Sequence, residues 1–254
     1  MTTRYAIYFV PEADTALAAL GSTLLGRESE TGKAIPQPDF PGLSTKTLHA
    51  MTVDARRYGL HATLKAPFFL KPGMTERELL RFADDFVMGR PPIALPKLML
   101  KRISSFFALT PSGETPEERD ALQSLNTLAA DAVTLFDPFR AAPTEKEIAR
   151  RNPQELTERQ RALLAEWGYP YVHEEFRFHL TLTDQLRDAT TARILEEALQ
   201  ATLANVCKEG ITVSGICVCK QTLPDPAPEP TPQSSNHDDA FILLQRIPFQ
   251  IAPR

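Results

Sequence analysis

Cysteine is scarce in this chain, long apolar runs are missing, and neither charge sign dominates. The three cysteines, Cys207, Cys217 and Cys219, are odd in number, which does not fit the even framework of a small secreted disulfide fold. Two of them form Cys217-Val218-Cys219 in a strand-like run without a second ligand cluster, so they read as reduced thiols that pack as small hydrophobes. No stretch approaches the ~20 apolar residues of a membrane span. The opening run around Tyr5–Val10 is too short for a signal h-region followed by a cleavage site, and a cytoplasmic protein is the expectation. A net charge of −4 argues against broad nucleic-acid binding, which draws on clustered cationic surface. Local cations around a small anionic ligand stay compatible with it. The 254 residues, 43% of them hydrophobic, suffice for one large domain or two fused lobes around a sizeable core.

What is present is one short pattern, twice. Leu60-His61-Ala62-Thr63-Leu64 and Phe178-His179-Leu180-Thr181-Leu182 are separated by almost half the chain. Alternate side chains of a strand share a face. His61 and Thr63 therefore point one way, and Leu60, Ala62 and Leu64 the other. In the second copy Arg177, His179, Thr181 and Thr183 oppose Phe176, Phe178, Leu180 and Leu182. Each strand buries its apolar row and presents an imidazole beside a hydroxyl.

The flanking sequence predicts a mixed architecture. Tyr5–Val10 reads as a strand, Asp14–Leu25 as a helix, residues 26–43 as a Gly- and Pro-rich loop, and Thr45–Val53 as a short helix. The first motif strand follows at Tyr58–Pro67. Thr75-Glu76-Arg77-Glu78 and Thr115-Pro116-Glu117-Glu118 are capping boxes, the second with proline at the first helical position. They open helices to about Met88 and Leu135, with strands at Ile93–Ile103 and Phe106–Thr110 between them. The second motif strand, Glu175–Thr183, precedes a helix near Thr190–Cys207 and strands at Ile211–Thr222 and Ala240–Ile251. Proline on every second position from Pro224 to Pro232 marks residues 223–239 as an extended, mobile loop. Each half thus repeats motif strand, helix, two strands, in one bilobal α+β domain over residues 1–254. Antiparallel sheets would carry helices on their outer faces and line a shared central cleft. The segment 136–173 is extra to the repeat and reads as a lid or specificity element.

Two His-x-Thr-Leu strands half a chain apart resemble the 2H phosphoesterase superfamily. Longer stretches are similar to a family named for phosphonate-utilisation operons: Arg56 to Phe68, Phe-Asp-Pro-Phe-Arg at 136–140, Trp-Gly-Tyr-Pro-Tyr-Val at 167–172 and Phe-Arg-Phe-His-Leu-Thr-Leu-Thr at 176–183. The resemblance implies two sheets related by a pseudo-two-fold axis. It also implies a metal-independent, cofactor-free hydrolase of a (cyclic) phosphodiester, acting on a small phosphorylated or phosphonate metabolite.

The residues allow that chemistry. Imidazole has an unperturbed pKa of ~6.5, so His61 and His179 could divide acid and base roles, while Thr63 and Thr181 donate to non-bridging oxygens. Candidate substrate contacts are Lys65 and Arg177, on the motif faces, with Arg57, Tyr58, Arg140 and Tyr171. Arg150 and Arg151 are candidates for a second phosphate. Arg56 reads as a loop cation, and His49, His173 and His237 as surface or helix residues. RNA end processing, by a 2′,3′-cyclic phosphodiesterase, is the alternative enzyme, and a non-catalytic binder of phosphorylated metabolites the alternative class.

Overall fold

The computed structural model of the chain describes residues 2–208, 210–223 and 240–251. Strand β1 spans Thr2–Phe9 and helix α1 spans Ala16–Leu25, its N-terminus capped by the Thr15 hydroxyl. The helix expected at Thr45–Val53 is two short ones, α2 at Thr45–Ala50 and α3 at Val53–Tyr58. Arg56 clamps them from inside rather than lying in a loop. It is buried and donates to the carbonyls of Leu25 and His49 and to the Thr52 hydroxyl. Strand β2, Ala62–Phe69, carries the first motif. Both capping boxes form as the sequence predicts, opening α4 at Glu76–Phe86 and α5 at Pro116–Leu135. Between them lie β3, Ile93–Ile103, and β4, Phe106–Pro111.

The second motif strand is much shorter than expected. Its ladder, β5, covers only Leu180–Thr181, and His173–Glu175 is a 3₁₀ turn instead. The apolar alternation survives all the same, with Phe176, Phe178, Leu180 and Leu182 buried. Helix α8 follows at Ala189–Val206, then β6 at Gly210–Val213, β7 at Gly215–Leu223 and β8 at Ile242–Pro248. The proline run expected to be a mobile loop, and His237, lie outside the described residues.

The fold is α+β, with two antiparallel four-stranded sheets in the orders β2-β1-β7-β8 and β5-β4-β3-β6. Each sheet takes two strands from each half of the chain, so the halves interleave instead of folding side by side. The motif strands β2 and β5 are edge strands of different sheets. One continuous core joins the sheets, drawing Ile7 and Phe9 from β1, Leu64 from β2, Leu98 from β3, Leu109 from β4 and Leu180 from β5. Each such side chain is worth about 2 kcal/mol on full burial. A smaller cluster covers the opposite face of the first sheet, holding Ala6, Tyr8, Cys217, Cys219 and Phe241. The thiols of Cys207, Cys217 and Cys219 are free. Among the described residues no helix is long and apolar enough to cross a membrane.

The extra segment 136–173 contains the short helices α6, Glu145–Ala149, and α7, Glu158–Trp167. It is stitched to the end of β2 by backbone bonds from Lys71 N to Phe139 O and from Ala141 N to Phe69 O, both 2.8 Å.

Candidate functional site

Both motif histidines are held by the same local device. His61 Nδ1 donates to the carbonyl of Gly59 at 2.9 Å, and His179 Nδ1 donates to that of Arg177 at 2.7 Å. A carbonyl only accepts, so the neutral ring of each carries its proton on Nδ1 and keeps a lone pair on Nε2. Thr63, two residues on, directs its hydroxyl at that lone pair of His61 across 3.3 Å. Gly59 makes the arrangement local to the sequence. Its φ of 70° and ψ of 177° end α3 in a conformation open essentially to glycine alone.

The two motifs meet in a cleft of about 540 Å³, lined by His61 and Thr63 from one sheet and by His179, Thr181 and Thr183 from the other. The His61 ring lies 4.1 Å from that of Tyr8 on β1 and 5.7 Å from that of Tyr58, which stacks in turn on Phe241. Burial among these rings pushes the His61 imidazole down from 6.5 to about 4, and the nearby His179 further disfavours a charge on it. The bond to Gly59 opposes this without reversing it. His61 is therefore a neutral acceptor across the physiological range. Burial likewise holds the Tyr8 phenol well above its ordinary range, so it remains protonated.

One carboxylate fixes the two motifs relative to each other. Asp184, which follows the second motif, accepts from the backbone N–H groups of Asp54 and Ala55 at 2.9 and 2.8 Å. It thereby caps α3, the helix that delivers Gly59 and His61. Thr183 is part of the same clip rather than a ligand donor. Its buried hydroxyl accepts from Phe107 N at 3.0 Å and donates to Asp184 O at 2.9 Å. Among the described residues no group of three or more His, Cys, Asp or Glu is arranged to hold a metal ion.

Of the expected substrate contacts, Tyr58 lines the cleft and Lys65 does not. The Lys65 ammonium is buried and donates to Val133 O at 2.8 Å and to Asp137 at 3.2 Å. Burial lowers it to about 8, against the pull of Asp137. The cause is an irregularity in β2, where Thr63 pairs with Tyr8 but Lys65 pairs with Ile7. The extra residue, Leu64, reverses the alternation and turns Lys65 inward with Ile7. Arg177 folds back on the carbonyls of Glu174 and Phe176, and Arg57 sits 3.8 Å from Asp54, outside the cleft lining. Arg140 forms a bidentate pair with Asp137 and donates to Glu166 O at 2.9 Å. It is chiefly a brace for the extra segment. Tyr171 is exposed and stands edge-on to Tyr169, which does line the cleft. His173, expected at the surface or on a helix, opens the 3₁₀ turn His173–Glu175 and packs against Trp167 with ring centroids 4.9 Å apart.

Tyr8, Phe106, Gln185 and Arg187 also line the cleft and were not singled out by the sequence. For Tyr8 the run Tyr5–Val10 is apolar on both faces, so no alternation marks its site-facing side. Arg187 follows the second motif by a short loop, and its proximity to His179 is the one signal that could have found it.

The family described as "Protein of unknown function (DUF1045)" matches residues 63–227, more than half of the chain. The chain belongs to that family. It is 38% identical over 97% of its length to the ribose 1,5-bisphosphate phosphokinase PhnN of Janthinobacterium sp. (strain Marseille). It is 34% identical over 72% of its length to the protein of the same name from Laribacter hongkongensis (strain HLHK9). The chain spans about half of the first relative, 51%, and 40% of the second. Both relatives are named as kinases. This overturns the expectation of a hydrolytic (cyclic) phosphodiesterase, and the RNA-processing alternative goes with it.

Proposed function

We propose that the two-histidine cleft holds the phosphorylated ribose of a phosphoryl-transfer reaction in phosphonate metabolism. The observation that carries this reading is the matched pair of histidines, each fixed through Nδ1 and presenting Nε2 to one cleft. Names of the relatives support the sugar phosphate and the reaction class, and the PhnN name, with the motifs similar to phosphonate-operon proteins, supports the metabolic setting. His61, neutral in the free protein, turns its Nε2 to the cleft and takes up a proton when an anionic phosphate binds against it. Thr181, Thr63 once released from His61, and His179 in its doubly protonated form donate to the oxygens of a phosphate already on the sugar and fix its position. The sequence has one Gly-Lys pair, Gly32-Lys33, followed by Ala34 rather than the Ser or Thr of a nucleotide-phosphate loop. We therefore place on this chain the sugar-phosphate side of the reaction.

The two motifs, one on an edge strand of each sheet, also support a shared site architecture with the 2H phosphoesterase superfamily, including its approximate two-fold relation. Scaffold is what this kinship concerns, not hydrolysis.

Titration calorimetry with ribose 5-phosphate and ribose 1,5-bisphosphate tests the reading. Binding should weaken at least about tenfold in His61→Ala and in His179→Ala, the loss expected for a charge-assisted hydrogen bond. Unchanged affinity in both variants would remove the cleft from the function. Nucleotide-dependent phosphorylation, followed as ADP release, shows whether this length of chain completes the transfer alone.

A further inference from the structure

Next to the histidine cleft lies a second, smaller pocket of about 150 Å³, and its walls are rich in arginine. It shares Tyr58, Pro67 and Arg151 with the cleft, so the two adjoin. Arg4, Arg140 and Arg150 complete its cationic side, with Glu147 as its one carboxylate. Arg140 is neutralised by Asp137, and Glu147 accepts from the backbone N–H and hydroxyl of Thr144 at 2.8 and 2.9 Å. Among the described residues neither Arg150 nor Arg151 has a carboxylate partner. In a chain of net charge −4, such a concentration of uncompensated guanidinium at one concave place marks an anion site.

The geometry suits a terminal phosphate. The Arg151 guanidinium lies over the Tyr169 ring, 4.8 Å from its centroid. Stacking leaves the in-plane N–H groups free for a bidentate contact. Arg4 is held in the same manner over Phe241, at 5.3 Å, while its Nε donates to Gln221. Phe241 in turn stacks on Tyr58, the wall common to both cavities. A volume of about 150 Å³ is below the roughly 300 Å³ at which whole-ligand pockets begin. One functional group fits here, and the body of the molecule belongs in the larger cleft.

We infer that the Arg4/Arg150/Arg151 pocket is a second phosphate subsite, and that the ligand of the cleft is a compact metabolite phosphorylated at both ends. The inference rests on the proposed sugar-phosphate reading and extends it. One phosphate lies between His61 and His179, the sugar passes the Tyr58 wall, and the second phosphate meets the arginines.

Arg150 separates the two ideas, because it lines the small pocket alone and is exposed enough to replace without unfolding the chain. Calorimetry compares ribose 5-phosphate with ribose 1,5-bisphosphate on the wild type, Arg150→Gln, Arg150→Lys and His179→Ala. The bisphosphate should bind the wild type at least about tenfold tighter, as one charge-assisted contact allows. Arg150→Gln should remove most of that advantage while leaving the monophosphate within about twofold, and Arg150→Lys should restore part of it. Equal affinity of the two ligands for the wild type, with His179→Ala still weakening both, would overturn the second subsite and keep the first. Equal losses on both ligands in Arg150→Gln would overturn it too. If neither ligand binds the wild type, both readings fall.

Discussion

The imidazole of His61 and the phenol of Tyr8 lie with ring centroids 4.1 Å apart and planes tilted by 38°. The two side chains come from adjacent strands, where Tyr8 pairs with Thr63, two residues beyond the histidine. This contact helps shield His61 from water and is part of the burial that keeps it uncharged. A ligand phosphate would replace that missing water with negative charge, and so reverse the preference.

Stability should therefore fall as acid is added, in a window set by His61. Its folded pKa, about 4, lies below its ordinary value of 6.5. Between those values the unfolded chain binds more protons, so the folded state gains stability as pH rises from 4 to 6.5. The contribution is at most about 3 kcal/mol. Urea denaturation of wild type and His61→Gln across this range should show a steeper slope for the wild type. Phosphate binding near pH 6 should take up protons, visible as a buffer-dependent calorimetric enthalpy. Superimposable pH profiles for the two proteins would contradict the assignment.

Removing the Tyr8 hydroxyl should stabilise the free protein. That oxygen is buried and has no hydrogen-bond partner among the described residues, a situation worth roughly 1–3 kcal/mol of desolvation. Tyr8→Phe keeps the ring against His61 and deletes the orphan group. In a chain of this size about 1 kcal/mol moves the melting temperature by ~2–4 °C, and the shift should be upward. A lower melting temperature would mean that the hydroxyl is satisfied after all.

Gly59→Ala should harm both fold and site. A methyl group there would come within 2.6 Å of the Ser29 hydroxyl and 3.0 Å of its Cα. The backbone conformation is also one that L-residues avoid, at about 1–3 kcal/mol. Because the Gly59 carbonyl anchors His61 Nδ1, loss of sugar-phosphate affinity should accompany the loss of stability. Calorimetry and thermal melts of one preparation give both readouts. A stable variant with unchanged affinity would show that the anchor is dispensable.

Asp137→Asn should be the more damaging half of the Lys65–Asp137 pair. It strands a buried ammonium and releases Arg140, and removing one partner of a buried pair typically costs about 3–5 kcal/mol. Lys65→Met deletes the charge itself and should be much milder. Equal destabilisation of the two variants by denaturant titration would refute that ordering.

The first motif was legible because its alternation is strict: Leu60, Ala62 and Leu64 are buried, and His61 and Thr63 face the cleft. Lys65 broke the same rule one step later, since a register irregularity is a property of the pairing with β1 and leaves no trace in β2 alone. Helices with capping boxes were found almost to the residue, as their signals are local. The ladder at Leu180–Thr181 was overestimated because apolar alternation records burial, not hydrogen bonding. Strand exchange between the halves was invisible for a related reason. A β-strand's sequence states which face is apolar and says nothing of its neighbour.

Since β2 and β5 are edges of separate sheets, no backbone ladder among the described residues spans the cleft. The two sheets meet behind it through side chains, with Phe9 against Phe178 at 5.9 Å. The site is thus a caliper. Each jaw is made rigid by its own sheet, and with the Asp184 clip holding the motifs together, the gap between them is tuned by the bulk of what is wedged behind it. Enlarging or trimming that wedge would retune the reach between the histidines and leave every motif residue in place.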